Sequence, residues 1–323
     1  MSNIGAGRQT GLTLITGTTG FVGSGVVARL AGEGVETLAC VRGDMVSMPE
    51  GVRVVRVAEL TADTDWRQVL AGAKSVIHLA ARVHVMHDTE ADPINTFRAV
   101  NVEGTLNLAR QAAAAGVKRF VFISSVKVNG ECTQPGRAFS EADTPNPQDD
   151  YGLSKFEAEQ GLRQLSADTG LEVVIIRPPL VYGPGVKANF ASLIRAVQRG
   201  WLLPLGAVHN QRSLVALDNL VDFIVTCVSH PQAANQTFLV SDGQDLSTTE
   251  LVRGMVQAAG APARLLPVPV WALQAGATLL GKGGAVQRLC GNLQVDISKA
   301  RSLLGWVPPV SVEEGLRRVM AAD

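Results

Sequence analysis

The chain has 323 residues, 46% of them hydrophobic and 18% charged, which allows a sizeable buried core and excludes a disordered polymer. Lys plus Arg and Asp plus Glu both total 29, so the zero net charge gives no support for a nucleic-acid partner. Four widely spaced cysteines form no C-x-x-C pair, and positions 1–11 contain no apolar signal-peptide core. We therefore expect a cytoplasmic protein with reduced thiols.

The first half of the chain alternates short apolar runs with longer helical patterns. We predict strands at 12–16, 36–41, 52–57, 75–79, 119–124 and 172–177, because nearly continuous apolar runs are typical of strands buried on both faces. Helical patterns follow at 21–32, 93–115 and 151–169. This order predicts an α/β fold in which a doubly wound parallel sheet carries helices on both faces.

After Pro178 the pattern changes, because prolines and glycines cluster and the apolar segments become shorter. A strand at 237–241 is expected to return to the sheet. We predict two interleaved units, a dinucleotide-binding domain at 10–180 plus about 213–245 and a smaller C-terminal substrate-binding lobe at 181–212 and 246–323. The apolar stretch 265–281 is broken by Pro and Gly and is too short to span a bilayer, so no membrane insertion is expected.

A glycine-rich loop joins the first predicted strand to the first helix. Gly17, Gly20 and Gly23 have the spacing G-x-x-G-x-x-G, one residue removed from G-x-G-x-x-G. Glycines at such a turn let the backbone approach a pyrophosphate, and the helix N-terminus offers N–H groups and a positive dipole end. An ordinary tight turn is the alternative, but the strand before and the helix after it favour nucleotide binding.

The end of the second predicted strand bears on which dinucleotide is bound. An acidic residue there would bind the ribose of NAD, whereas an arginine accommodates the 2′-phosphate of NADP. The acidic position is missing and Arg42 follows the strand directly. We therefore expect NADP(H), with NAD(H) as the alternative.

A second motif points to proton-transfer chemistry. Tyr151 and Lys155 are four residues apart at the start of a helical pattern, so both project from one face. A lysine ammonium beside a phenol favours phenolate and makes the tyrosine a usable acid or base. The strand at 119–124 ends in Ser124 and Ser125 at the sheet edge where sites form, and a hydroxyl there can stabilise charge on a substrate oxygen.

Together these motifs resemble the extended short-chain dehydrogenases/reductases, in particular the group of nucleotide-sugar 4-epimerases and 4-keto-reductases. The resemblance covers nearly the whole chain and rests on segments 17–23, 78–81, 101–105, 124–130, 151–155, 177–178, 212–222 and 296–300. It implies a Rossmann-type fold with a nucleotide-sugar-binding lobe.

The resemblance implies a role for each matching residue. The catalytic set is Ser125, Tyr151 and Lys155. The residues implied to bind the cofactor are Gly17, Thr19, Gly20, Phe21, Val22, Gly23, Arg42, Glu59, Leu60, Leu79, Ala80, Ala81, Asn101, Ser124, Tyr151, Lys155 and Pro178. Those implied to bind the nucleotide sugar are Ser125, Asn189, Phe190, Arg212 and Arg288. No metal site is expected, because nothing completes a ligand set around His84 and His87.

Two reactions share this apparatus. A reductase consumes NADPH at each turnover, whereas an epimerase regenerates bound NAD in place. Arg42 and the segments 125–131 and 149–155 favour NAD(P)H-dependent reduction of a UDP-4-keto-6-deoxy-(N-acetyl)hexosamine for surface polysaccharides, as in the bacterial 4-reductases that they resemble. A UDP-hexose or UDP-N-acetylhexosamine 4-epimerase is the first alternative, and a non-catalytic NADP(H)-binding sensor is the second. A dehydratase is disfavoured because Val126 and Lys127 replace that branch's acidic pair.

The resemblance also implies a homodimer through helices 93–115 and 151–169.

Overall fold

The computed structural model describes residues 11–43, 47–83, 92–260, 264–279 and 283–322, without the side chains of residues 284, 285 and 288. Seven strands in these ranges form one parallel sheet in the order β3-β2-β1-β4-β5-β6-β9. They are β1 (Leu12–Thr16), β2 (Thr37–Val41), β3 (Val52–Arg56), β4 (Ala73–His78), β5 (Arg119–Ile123), β6 (Glu172–Arg177) and β9 (Thr237–Leu239). This is the doubly wound parallel sheet that the sequence predicts.

Helices cover both faces of the sheet, and all but the last of those given next lie at the helical patterns predicted at 21–32, 93–115 and 151–169. They are α1 (Phe21–Gly32), α2 (Pro93–Arg98), α3 (Thr105–Ala114), α4 (Asp150–Thr169) and α6 (Leu217–Ser229). One apolar cluster joins α1 and α6 to one face of the sheet, and another joins α3 and α4 to the opposite face. The order of strands reverses beside β1, which is where a doubly wound sheet opens a crevice for ligands.

The predicted helix over 93–115 is not uniform. Between α2 and α3 the segment Ala99–Gly104 winds as a π-helix. Position 104 lies against the chain after β3, since a Cβ there would approach the Leu60 carbonyl oxygen to 2.7 Å. A π-helical turn of this kind is frequent at functional sites and has no signature in hydrophobic periodicity.

A smaller lobe packs around its own apolar core. The elements that contribute to this core are β7 (Leu180–Tyr182), α5 (Ala188–Gln198), β8 (Leu214–Ala216), α7 (Thr248–Ala258) and α11 (Val312–Ala322). Helices α8 (Val270–Leu279) and α9 (Gly283–Cys290) follow α7 along the chain, and α10 (Ser298–Leu304) packs through Ala300 and Leu304 into the cluster that contains α1 and α6. Strands β7 and β8 pair in parallel with each other, outside the main sheet. Within the described ranges, no helix is long and apolar enough to cross a bilayer.

Candidate active site

A cavity of about 510 Å³ opens at the carboxyl edge of the sheet. Segments that follow β1, β2, β3, β4 and β5 all contribute to its lining. Its size lies within the range of about 300–1,000 Å³ that is usual for ligand and cofactor sites. The predicted cofactor and catalytic residues that line it are Gly17, Thr19, Gly20, Phe21, Val22, Gly23, Arg42, Glu59, Leu60, Leu79, Ala80, Ala81, Ser124, Ser125, Tyr151, Lys155 and Pro178.

The glycine-rich loop holds the start of α1 against the cavity. Gly17 has a φ of 74°, and a Cβ there would lie 2.6 Å from the Ala80 backbone nitrogen. At Gly23 a Cβ would lie 2.1 Å from the Gly17 carbonyl oxygen. No side chain caps the N-terminus of α1 at Gly20, so this helix end presents backbone to the cavity. Such an end suits a phosphate group.

The loops after β2 and β3 form one end of the cavity. Arg42 and Glu59 are both exposed there, and the buried Leu60 lies beside Glu59. The hydroxyl of Thr18 donates to the Cys40 carbonyl oxygen over 2.8 Å and so ties the glycine-rich loop to the end of β2. Sequence analysis did not identify Thr18, because its role depends on a contact between two separate loops.

The residues near this cavity fit a nicotinamide dinucleotide. The loop at positions 17 and 23 has no room for side chains, and the uncapped start of α1 offers a place for a pyrophosphate. Apolar groups and the predicted catalytic side chains line the opposite end of the same cavity, from Leu79 to Tyr151.

Tyr151 and Lys155 stand on the first turns of α4, which begins with Asp149 as its N-cap. The Tyr151 ring packs edge-on against Phe97 of α2, with 6.3 Å between ring centroids. Lys155 is 2% exposed, and its Nζ donates to the Ile123 carbonyl oxygen over 2.8 Å. That ammonium lies 5.9 Å from the centre of the Tyr151 ring. The carbonyl at the end of β5 therefore fixes the lysine beside the tyrosine.

Burial shapes the acidity of both groups. It raises the pKa of Tyr151 to about 12, and the negative charge of Asp149 adds to this. Burial also lowers the pKa of Lys155 to about 7, against the raising effect of the Glu159 carboxylate. The expected lowering of the tyrosine pKa by the lysine is absent from this structure, because loss of water disfavours the charged form of each group. Without a bound ligand, burial thus favours the neutral form of the Tyr151 phenol.

The two neighbouring serines differ in what they contact. Ser124 is buried and donates its hydroxyl to Glu159 Oε1 over 2.6 Å. Ser125 is half-buried and caps the short turn Val126–Val128, where its Oγ accepts from the Lys127 N–H over 3.2 Å. Both line the cavity. The hydroxyl proton of Ser125 can therefore point to a ligand, whereas that of Ser124 is bound to a carboxylate.

A buried ion pair lies beneath these serines. Glu159 is fully buried on α4 and binds the Arg177 guanidinium through two bonds of 2.8 and 2.6 Å. Arg177 also donates to Asn129 Oδ1 over 2.9 Å. Sequence analysis gave Glu159 no role, although its place four residues after Lys155 could have identified it.

Asn101, one of the predicted cofactor-binding residues, forms its hydrogen bonds inside the protein. It is 1% exposed in the π-helical segment and does not line the cavity. Its Oδ1 accepts from the Arg82 N–H over 2.8 Å, and its Nδ2 donates to the Arg82 carbonyl and the Ser154 hydroxyl, each over 3.0 Å. Asn101 thus joins the chain after β4 to helix α4, because a buried amide must satisfy both of its ends inside the protein.

Ser125 lines this cavity, whereas three other predicted sugar-binding residues, Asn189, Phe190 and Arg212, do not. Asn189 is exposed at the start of α5, whereas the Phe190 ring is buried and stacks on Tyr182 with 5.6 Å between centroids. The Phe190 ring is therefore a core side chain, so a contact of this residue with a ligand would have to come from its backbone. Arg212 donates from Nη1 to the Gly291 carbonyl over 3.1 Å, and burial lowers its pKa. The side chain of Arg288 lies outside the described residues, as do His84 and His87.

Comparison with known proteins adds to this geometry. The chain matches the profile of the NAD dependent epimerase/dehydratase family over residues 13–241. It is 50% identical over 310 residues to a UDP-glucose 4-epimerase of Vibrio cholerae, covering 96% of this chain and 94% of the relative.

Solved structures share its fold. A UDP-N-acetylglucosamine 4-epimerase from Bacillus cereus superposes with a TM-score of 0.78 at 20% identity, covering 97% of this chain and 99% of the other. A UDP-glucose 4-epimerase of Thermus thermophilus in complex with NAD gives a TM-score of 0.76 at 24% identity, covering 96% and 98%.

Proposed function

Because the chain belongs to the NAD-dependent epimerase/dehydratase family, we propose that it is a 4-epimerase of a UDP-linked hexose or N-acetylhexosamine. One observation carries the proposal: a single cavity joins a phosphate-binding glycine loop to Ser125, Tyr151 and Lys155. The similarity to the Vibrio cholerae epimerase extends over nearly the full length of both chains and supports the same reaction.

Tyr151 is the proton acceptor and donor in this proposal. A bound nicotinamide would supply the hydride acceptor, and its positive charge in the oxidised form would lower the pKa of the nearby phenol. The Tyr151 oxygen would take the proton from the sugar 4-hydroxyl as C4 is oxidised, and would return it to O4 once C4 is reduced from the other face. Each proton and each hydride is thereby restored within one turnover.

Lys155 and Ser125 assist the tyrosine. The Lys155 ammonium, fixed by the Ile123 carbonyl, stabilises negative charge on the Tyr151 oxygen. The Ser125 hydroxyl donates to the developing oxygen at C4. Ser124, Glu159 and Arg177 hold the end of β5 in place from behind.

The remaining predicted residues form two groups in this proposal. The glycine-rich loop and the start of α1 bind the cofactor pyrophosphate, while Arg42 and Glu59 contact its adenosine end. The lobe binds the UDP diphosphate through Arg212 and Arg288, next to Asn189. A guanidinium whose pKa burial has lowered is stabilised by an anionic partner, as Arg212 would be by a diphosphate.

Sequence analysis ranked a 4-keto-reductase above an epimerase, but the similarities support the epimerase better. Arg42 nevertheless favours the reductase as a second candidate. It lines the cavity directly after β2, and β2 itself contains no Asp or Glu. A reductase of a UDP-4-keto-6-deoxy-(N-acetyl)hexosamine that uses NADPH would draw on the same Tyr151, Lys155 and Ser125.

One experiment separates the two candidates. The purified protein is incubated with UDP-glucose or UDP-N-acetylglucosamine, with and without added NAD, and the products are resolved by NMR. The epimerase proposal expects the C4 epimer to form with no net change in nicotinamide absorbance. Stoichiometric oxidation of NADPH with a UDP-4-keto-6-deoxy sugar, and no epimer from either UDP-hexose, would replace it with the reductase.

We also propose that two copies associate through α2, α3 and α4. Leu153 and Phe156 of α4 are apolar yet only half-buried within one chain, which supports an outer contact for this helix. Light scattering after gel filtration is expected to give the mass of a dimer, and Phe156→Glu the mass of a monomer. A monomeric wild-type protein would contradict this assembly.

A further inference from the structure

Two long segments of this chain, most of whose residues belong to the lobe, contain no acidic residue. Residues 173–217 and 251–295 contain no Asp or Glu, although they hold nine of the 29 Lys and Arg residues. The rest of the chain therefore has 20 basic and 29 acidic residues, so the zero net charge hides a strong asymmetry. Such an asymmetry predicts attraction to an anionic partner on one side of the molecule.

The two acid-free segments are packed together in space. Side chains of both, including Ile194 and Met255, belong to the same buried cluster of the lobe. Next to it the backbone of Leu203 donates to Arg264 and accepts from Leu266, each over 2.8 Å. Parts of both segments therefore lie next to each other in the lobe.

The exposed apolar side chains concentrate in the same place. Of the nine large apolar residues that are exposed in the described ranges, seven belong to the acid-free segments. Trp201 is 57% exposed, Leu202 59% and Leu266 43%. The backbone bonds between Leu203 and Leu266 place these three side chains on adjoining stretches of chain.

Helix α8 continues this surface. It follows Leu266 after a short proline-bearing link, and its Trp271 is 72% exposed while Leu279 is 87% exposed. The residues of α8 that are exposed between these two include Gln274, Ala275 and Thr278. An apolar helix with a tryptophan in solvent is unusual unless something covers it.

Arginines border the apolar residues. The Arg199 guanidinium lies 5.6 Å from the centre of the Trp201 ring, and a Cβ at Gly200 would lie 3.9 Å from Arg264 Nε. Arg195, Arg199 and Arg264 are exposed, and none of them forms an ion pair with a carboxylate in the described part of the chain. Tryptophan, leucine and unpaired arginine together are the composition of segments that lie in a membrane interface.

We propose that this surface, consisting of Arg199, Trp201, Leu202, Arg264, Leu266 and helix α8, docks on an anionic phospholipid bilayer. Trp201 and Trp271 enter the headgroup boundary, while the arginines bind lipid phosphates. The docking is peripheral, because no described helix could span a bilayer. Charge selects the bilayer over a second copy of this chain, since two such basic faces would repel each other.

Vesicle co-sedimentation of the full chain tests this directly. At low salt we expect the protein to sediment with equimolar phosphatidylglycerol and phosphatidylcholine vesicles, to remain free with phosphatidylcholine alone, and to be released by salt. Each arginine near an anionic surface contributes about 1 kcal/mol, so Arg199→Gln with Arg264→Gln should weaken binding about 25-fold. The matched control Arg53→Gln, an exposed arginine outside the two segments, should bind like wild type.

Tryptophan replacement tests the apolar part. Trp201→Ser with Trp271→Ser should abolish sedimentation, while Val307→Ser, a 65% exposed residue elsewhere, should not. Unchanged thermal melting establishes that the variants fold. The proposal is overturned by absence of binding to the anionic vesicles, by equal binding to neutral ones, or by wild-type binding of the tryptophan variant. It is also overturned if that variant lowers the wild-type oligomeric mass, because the surface would then join two copies.

Discussion

The chain has two tyrosines, and they illustrate how its two regions differ. Tyr151 lines the cavity at the carboxyl edge of the sheet, where its neighbours are residues of the glycine loop, Ser125 and Lys155. Tyr182 is fully buried in the lobe, stacks on Phe190 and donates its hydroxyl to Asp242 over 2.7 Å. The Tyr151 phenol thus faces a cavity that can hold a ligand, whereas the Tyr182 phenol stabilises the core of the lobe.

The two regions also differ in how closely their motif residues come together. At the sheet edge, function depends on backbone positions that the strand-turn-helix order fixes, so the motif residues converge in one cavity. In the lobe, the predicted ligand residues come from separate helices and loops, and packing decides which side chains remain accessible. Substitutions matched across the two regions therefore test whether residues at the sheet edge act on the reaction while those of the lobe act on stability or substrate binding.

The largest effect is expected at Tyr151. Tyr151→Phe removes the phenol that we propose as the acid and base at O4, so kcat should fall about 10²–10⁴-fold, the usual contribution of acid–base catalysis. Tyr182→Phe is the matched control in the lobe. It should lower the free energy of unfolding by about 1 kcal/mol through the lost bond to Asp242 and leave kcat near wild type. Equal losses of kcat in both variants would contradict the assignment.

Lys155 gives a pH-dependent effect on stability. Its pKa of about 7 in the folded chain lies below about 10.4 in the unfolded chain, so burial of its charge destabilises the fold fully below about pH 7. The penalty is relieved as pH rises towards about 10, because the unfolded chain then loses its proton too.

The test is chemical denaturation of Lys155→Met and wild type across this range. The stability of the variant relative to wild type should be greatest near pH 7 and decline towards pH 10, by about 1.4 kcal/mol for each unit of pKa difference. A difference that stays constant with pH would mean that Lys155 has an ordinary pKa.

Two glycines of α1 differ in whether their surroundings leave room for a side chain. Gly23→Ala places a methyl group against the Gly17 carbonyl, so it should cost about 1–3 kcal/mol of stability and weaken dinucleotide binding. Gly32 has open space around its Cβ position, and Gly32→Ala should stabilise the helix by about 0.5–1 kcal/mol. Thermal melting and fluorescence titration with NADH measure both effects.

A further expected effect concerns substrate binding by the lobe. Arg212→Met should raise KM for the UDP-sugar about tenfold or more, since a hydrogen bond to a charged group contributes about 1.5–3 kcal/mol, and should change kcat little. Arg195→Met, at an exposed position on α5, should leave both constants unchanged. A loss confined to kcat in Arg212→Met would place this residue in the chemistry instead of in diphosphate binding.

Much of the sheet could be predicted from the sequence. The bounds of β1, β6 and α1 agree with the patterns, because buried parallel strands and a glycine-flanked helix leave strong local signals. The positions of Tyr151 and Ser125 beside one cavity also followed, since the carboxyl ends of parallel strands share an edge.

Other features depend on contacts that no local pattern encodes. The π-helical turn and the internal bonds of Asn101 arise from packing of α2 and α3 against α4. The neutral phenol of Tyr151 results from burial, which sequence spacing to Lys155 does not reveal. The Phe190 ring lies in the core because it stacks on the Tyr182 ring, a contact that the sequence does not indicate. In the lobe, the motif marks a position along the chain but not the direction of its side chain.

The most direct test of the central claim follows the hydrogen at C4. UDP-glucose or UDP-N-acetylglucosamine carrying deuterium at C4 is incubated with the protein, with only cofactor that is already bound or added in catalytic amount. The C4 epimer should form with deuterium retained at C4, and Tyr151→Phe should nearly abolish formation of the epimer. An inactive wild-type protein with both sugars, or an epimer that has lost its deuterium to solvent, would contradict hydride removal and return in this cavity.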